Sequence, residues 1–246
     1  MKKRFHAMGI KQLIQPELMQ KTAMMLLAGM NAQEIRQALY ELLAEQKKGK
    51  ESQVHLINNL MHTWVTPDPV LIPLRNVALE LLRQQPAMAT AIHWSMISAT
   101  YPFWFQIARH TGRLLALQNM VTAAQIQTRI KEQYGDRSSV HRNGRYVIRS
   151  FVAWGVLQDT RRKGHYVPAE PICVAEPELI GLMLEAALHT SPDSGGMLEV
   201  LLTNPAFFPF RLPIITGHAI SRHNCRLDVI RCGATDELLK LNTCRA

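Results

Sequence analysis

No apolar run in this 246-residue chain approaches the ~20 residues that a membrane-spanning helix needs. The best candidate, Ala87 to Leu117, is interrupted by His93, Pro102, Gln106, Arg109 and His110, so a soluble protein with no membrane partner is expected. The positive start MKKRFHAMG lacks the apolar stretch of a secretory leader, because Lys11, Gln12, Gln15, Pro16 and Glu17 break it up. Cysteine is scarce: Cys173, Cys225, Cys232 and Cys244 all fall in the last third, with no CxxC pair. This argues against a disulfide framework and fits a reducing, cytoplasmic compartment. The motifs GxGxxG, GxxxxGKS/T, HExxH and GxSxG are absent too, so nucleotide-binding, phosphate-loop, zincin and hydrolase chemistries have no motif to rest on. The grouping nearest to a ligand set is His218, His223, Cys225 and Cys232, with Cys244 beyond. Its spacing matches no familiar zinc pattern, and Cys225 reads as an inward-facing strand residue. Carboxylates are too sparse to single out a paired acid and base. No catalytic residue, metal ligand or cofactor is expected.

What the chain does have is core-forming material and unevenly placed charge. Apolar residues make up 47% of it, enough to bury a sizeable core. The net charge of +9 divides into +4 over residues 1–64, +2 over 65–128, +6 over 129–165 and −3 over 166–246. Two thirds of the net charge therefore sits in 37 residues. Charge focused in this way points to a face for a polyanion, with a solvated helix face as the plainer alternative.

Apolar spacing predicts short helices through the first half: one from Pro16 closed by Gly29, one capped by Asn31, and one carrying Val54, Ile57, Leu60, Met61 and Trp64. Glu45 to Glu51 reads as an exposed loop, and Thr66-Pro67-Asp68-Pro69 as a linker. A helix around Pro73 to Arg83 precedes the long stretch from Ala87 to Leu117, in which Pro102 should force a kink or break. Trp94, Tyr101, Phe103, Trp104 and Phe105 are dense enough to be core rather than a ligand cage.

Residues 122–168 are the most informative. Thr122 is placed to cap a helix ending near Tyr134 and Gly135, and Ser138 and Ser139 to cap a second helix running to about Trp154. Gly155-Val156-Leu157 leads into a strand, Thr160 to Gly164 makes a turn, and His165-Tyr166-Val167 returns as a second strand. Helix, turn, helix, hairpin is the order of a winged helix-turn-helix. At 100° per residue, Ser138, Arg142, Arg145 and Arg149 share one side of the second helix, while Val140, Gly144, Val147, Ile148, Phe151 and Trp154 share the other. Gly144 in the apolar arc allows close helix packing. The expected interface consists of Ser138, Ser139, His141, Arg142, Arg145 and Arg149 on the helix, with Arg161, Arg162 and Lys163 at the tip of the hairpin. The helix suits the major groove and the tip adjacent phosphates.

After Pro168 the chain turns acidic. Pro177 and Glu178 open a helix through Leu188, Thr190 to Gly196 is a loop, and Met197 to Leu202 makes a helical turn or two. Asn204 to Pro213 cannot be regular helix. Cys225, Leu227 and Val229 alternate as a strand, and Thr235 is placed to cap a terminal helix bearing Leu238, Leu239 and Leu241. The fold class expected is mainly α: a helical body with a winged helix-turn-helix module and a small α+β C-terminal extension. Its four parts are an N-terminal bundle over 1–65, a central aromatic region over 66–120, the winged-helix module over 121–168 and the extension over 169–246.

Two stretches carry a resemblance. Leu13-Ile14-Gln15-Pro16-Glu17 followed by Leu26-Leu27-Ala28-Gly29, and Ser138-Ser139 through Gly155-Val156-Leu157, resemble the small DNA-binding accessory proteins of BREX phage-defence islands, the BrxA family. The likeness covers about residues 9–168, and the long C-terminal extension departs from it. The resemblance implies helix-turn-helix elements in a helical body, duplex DNA as the partner, an antiviral defence setting and no catalysis. The function expected is a non-enzymatic, cytoplasmic, duplex DNA-binding protein working with other protein subunits of a multi-component system. The alternative is an interaction adaptor whose winged helix binds proteins and not DNA.

Overall fold

The computed structural model describes residues 8–44, 49–233 and 236–242, which form a mainly helical molecule with three small sheets. The first helices are α1 (Pro16–Leu27), α2 (Ala32–Ala44) and α3 (Lys50–Leu60), the last running into a π-helical turn at Met61–Val65. Asn31 starts α2 as expected: its side chain accepts from the Gln33 and Glu34 amides at 2.9 and 3.0 Å, and Glu34 accepts in return from the Asn31 amide. The loop expected up to Glu51 ends sooner, since Lys50 and Glu51 already belong to α3; residues 45–48 lie outside the described residues. Helix α4 (Ile72–Gln84) follows a short turn capped by Asp68. Pro102, which has no amide to donate, splits the next stretch at Tyr101 into α5 (Ala89–Thr100) and α6 (Pro102–Leu117).

Strand β1 (Val121–Thr122), α7 (Ala123–Tyr134), α8 (Ser138–Ala153), β2 (Leu157–Asp159) and β3 (His165–Pro168) come next. The three strands form one antiparallel sheet with β3 in the middle. The remainder is β4 (Ile172–Cys173), α9 (Pro177–Leu188), β5 (Gly195–Met197), α10 (Leu198–Leu202), β6 (Phe210–Arg211), α11 (Gly217–Ser221), β7 (Leu227–Arg231) and β8 (Glu237–Leu241). Strands β4 and β6 pair in parallel, and β8 lies between β5 and β7 in a second antiparallel sheet.

One apolar core draws on all four sequence segments. Trp94 and Trp104 lie at its centre, and both pack on Phe151 of α8, with ring centroids 5.1 and 4.9 Å away. All five aromatics of the central stretch are buried, as their density predicts. Helix α9 is apolar on every side and accordingly lies inside, against α4 and α5. Its one buried charge, Glu185, is met by Arg226 through Nε and Nη2, each at 2.7 Å, and by Asn224 Nδ2 at 2.7 Å. Burial opposes ionisation of Glu185, but its hydrogen bonds with His189, Arg226 and Asn224 outweigh that and hold its pKa below the usual carboxylate value. His93, between Trp64 and Trp154, is bonded to Gln20 at 2.8 Å, and burial pushes its pKa down to about 3.

Three expectations for the C-terminal part are corrected. The terminal helix is strand β8: the spacing of Leu238, Leu239 and Leu241 also suits a helix, but the segment has unpaired strands on both sides, and pairing with β5 and β7 satisfies its backbone twice over. Thr235, its expected cap, lies outside the described residues. Gly195 and Gly196, expected in a loop, form β5 with Met197. Cys225 is exposed in the turn before β7 and does not face inward. Among the described residues no helix is long and apolar enough to cross a membrane.

Candidate functional site

The exposed side of α8 is set by what holds its other side. Val140, Asn143, Gly144, Val147, Ile148, Ser150 and Phe151 are buried, whereas Arg142, Arg145 and Arg149 are exposed. This is the division that the sequence periodicity predicts. Gly144 meets α7 so closely that a Cβ there would lie 2.7 Å from Nε2 of Gln127, the atom that donates to the His141 carbonyl at 3.1 Å. At the far end, the Ser150 hydroxyl accepts from the Ile14 amide at 2.9 Å and Trp154 Nε1 donates to the Ile14 carbonyl at 2.9 Å. The helix is thereby clamped to the strap formed by residues 8–15, ahead of α1.

Helix α7 starts on a capping box, with Thr122 Oγ1 accepting from the Gln125 amide at 3.1 Å and Gln125 Oε1 from the Thr122 amide at 2.8 Å. Thr122 pairs with His165 of β3, and the Ala123 amide donates to the Gly164 carbonyl at 2.8 Å, which staples the hairpin tip to the start of α7. A cleft of about 740 Å³ results between α7, α8 and the hairpin. Lys131, His141, Arg145, Arg149 and Lys163 reach it, against one carboxylate, Asp159. Arg161, Arg162 and Lys163 are exposed at the tip.

The predicted residues are not equivalent in this setting. Arg142, Arg145, Arg161, Arg162 and Lys163 form no ion pair among the described residues. Arg149 does: its Nη1 donates to both carboxylate oxygens of Asp159, at 2.7 and 2.8 Å. That hydrogen bond, with a further one to Tyr166, holds its pKa above the ordinary guanidinium value. His141 lies 3.3 Å from Asp136, which also takes a bond from Lys131 at 3.1 Å. The Lys131 bond, joined by that of His141, holds the Asp136 pKa below the usual value. Ser138 and Ser139 are not caps: Arg137 occupies the cap position with extended backbone, so both serines fall inside the first helical turn. Ser138 is exposed and Ser139 partly so.

Lys131, Asp159, Tyr166 and Gln127 also line the cleft, and no sequence pattern marks them as site residues. Lys131 projects from α7, whose apolar spacing marks it only as the seat for α8. Asp159 meets Arg149 through strand pairing, which no helical spacing reveals. The register sets Asp159 opposite Tyr166 on neighbouring strands, and so places both on the face that looks at Arg149. Among the described residues no three histidine, cysteine or acidic side chains are grouped to hold a metal ion; Cys244 lies outside them. Comparison of the chain with protein-family models, with curated proteins and with solved structures finds no match.

Proposed function

We propose that residues 102–168 are a winged helix-turn-helix that binds duplex DNA without catalysis, and that the protein serves as the DNA-binding subunit of a cytoplasmic multi-component system, of which phage defence of the BREX type is the one its sequence resembles. In this reading α8 is the recognition helix and the turn at Arg161-Arg162-Lys163 is the wing. The observation that carries it is the cationic cleft between α7, α8 and the hairpin, with Arg142, Arg145 and the three wing cations all lacking ion-pair partners among the described residues. Cations without carboxylate partners, set on one side of a rigid module, are the footprint of phosphate contact. The element order α6, β1, α7, α8, β2, β3, with β3 pairing to both other strands, supports the winged-helix assignment.

The deciding experiment is a mobility shift of random-sequence duplex at two salt concentrations, using the full chain and the double variant Arg142→Glu with Arg145→Glu. The wild type should bind with a salt-dependent affinity, and the double variant should lose binding with an unchanged thermal transition, since both side chains point away from the core. Unchanged affinity would sink this reading. The second reading, a protein-interaction adaptor, draws on the exposed aliphatic side chains of Leu117 and Ile214, 85% and 101% accessible. An adaptor has no reason to show a salt slope on DNA.

A further inference from the structure

The pairing of Arg149 with Asp159 is at odds with a plain phosphate clamp. Asp159 is half exposed and is the one carboxylate among the described residues lining the cleft. A phosphate brought to Arg149 has to approach that carboxylate as well, and two anions at contact range repel each other. Arg145 and Lys163, in the same cleft, impose no such conflict. A base edge differs from a phosphate: it is uncharged, and guanine offers two acceptors side by side in the major groove, N7 and O6.

Donor arithmetic points the same way. A guanidinium carries five N–H donors. Asp159 engages Nη1 with both of its oxygens, at 2.7 and 2.8 Å. The N–H groups of Nε and Nη2 remain, and side by side they match the two acceptors of guanine. The support is rigid, because Asp159 and Tyr166 are cross-strand partners in β2 and β3 and Tyr166 is 5% exposed. A long side chain held by a carboxylate on a paired strand loses little further freedom on meeting its target, which favours a specific contact over a diffuse electrostatic one.

Resting on the reading that this cleft binds duplex DNA, we propose that Asp159 is a positioning residue that holds Arg149 for bidentate recognition of a guanine. Arg149 then specifies sequence, while Arg142, Arg145 and the wing cations hold the backbone.

The test is selection of preferred duplexes from a random pool by the full chain, followed by titration of the best duplex and of single-base changes in it. The wild type should select a guanine at one position of each site, and replacing that guanine should weaken binding by about 5- to 150-fold, the range of one bidentate base contact. Arg149→Lys should abolish the discrimination at that position alone. Asp159→Asn should reduce it while binding random duplex as well as the wild type or better, because a carboxylate has left the cleft. Asp159→Glu should recover part of the discrimination. Wild-type binding with no guanine preference, or a preference that survives Arg149→Lys, would overturn the proposal and leave the DNA reading standing. An Asp159→Asn variant with a lowered thermal midpoint and unaltered discrimination would show the pair to be a structural tie, which also overturns it. A chain that binds no duplex at all removes both readings together.

Discussion

Single atoms decide tolerance at several positions. Gly112 of α6 touches the backbone of the 205–207 turn so closely that a Cβ would overlap the Pro205 carbonyl oxygen. Backbone cannot swing aside as a flexible side chain does, so Gly112→Ala should cost about 3 kcal/mol, read as a fall in the urea midpoint with an unchanged slope. Gly144 tolerates more, because its near neighbour is the amide end of Gln127. His93 sets a pH response. In the unfolded chain its imidazole titrates near the ordinary 6.5, and in the folded protein near about 3, because burial disfavours the cation. Between those values the unfolded chain holds a proton that the folded one does not. The contribution of His93 to stability is therefore complete above pH 6.5 and is lost as pH falls toward 3, at about 1.4 kcal/mol per pH unit. Thermal midpoints measured from pH 7 to pH 4 should fall less steeply in His93→Gln than in the wild type; parallel curves would assign the acid sensitivity to other groups.

Elements were legible where one periodic face met one kind of environment. Helix α8 is the clearest case, since its arginine and apolar arcs follow directly from 100° spacing, and the break at Tyr101 follows from Pro102. Strand β8 was not legible, because three leucines in four positions suit a helix face as well as a strand flanked on both sides, and the flanking strands come from distant sequence. The pairing of Asp159 with Arg149 was hidden for the same reason. The cap was misplaced by one residue because two serines precede the apolar run and either fits a cap preference, whereas the extended backbone of Arg137 sets the actual start. At this scale the hairpin turn carries a prediction of the proposed DNA binding. Arg161→Ala with Arg162→Ala and Lys163→Ala should weaken DNA binding about evenly across sequences and lower the magnitude of the salt slope by about two to three units, because the three cations are exposed on a short turn. Loss on one sequence only would make the turn a reader of bases. The fold should survive, since the tip is held through backbone bonds of Thr160, Gly164 and His165.

Taken whole, the core joins parts of the chain that are distant in sequence. Helix α9 fills the space beside α4 and α5 with Leu179, Ile180, Leu182, Met183 and Leu184, all at 0% exposure, although it follows the basic module in sequence. Truncation after Pro168 should therefore give an aggregating or poorly expressed chain, assayed by size-exclusion chromatography. A soluble, monomeric truncation that binds DNA more tightly than the full chain would instead make the acidic tail a regulator. The clamp at Ile14 has a consequence in time. Its amide and carbonyl bond to Ser150 and Trp154, across 136 and 140 positions of chain. On a ribosome the strap emerges long before α8 exists, so Ile14 waits for much later residues before its amide and carbonyl exchange water for their native partners. Synthesis cannot complete the strap and its neighbouring helices first, and the nascent chain carries its future core uncovered until α8 and then α9 arrive.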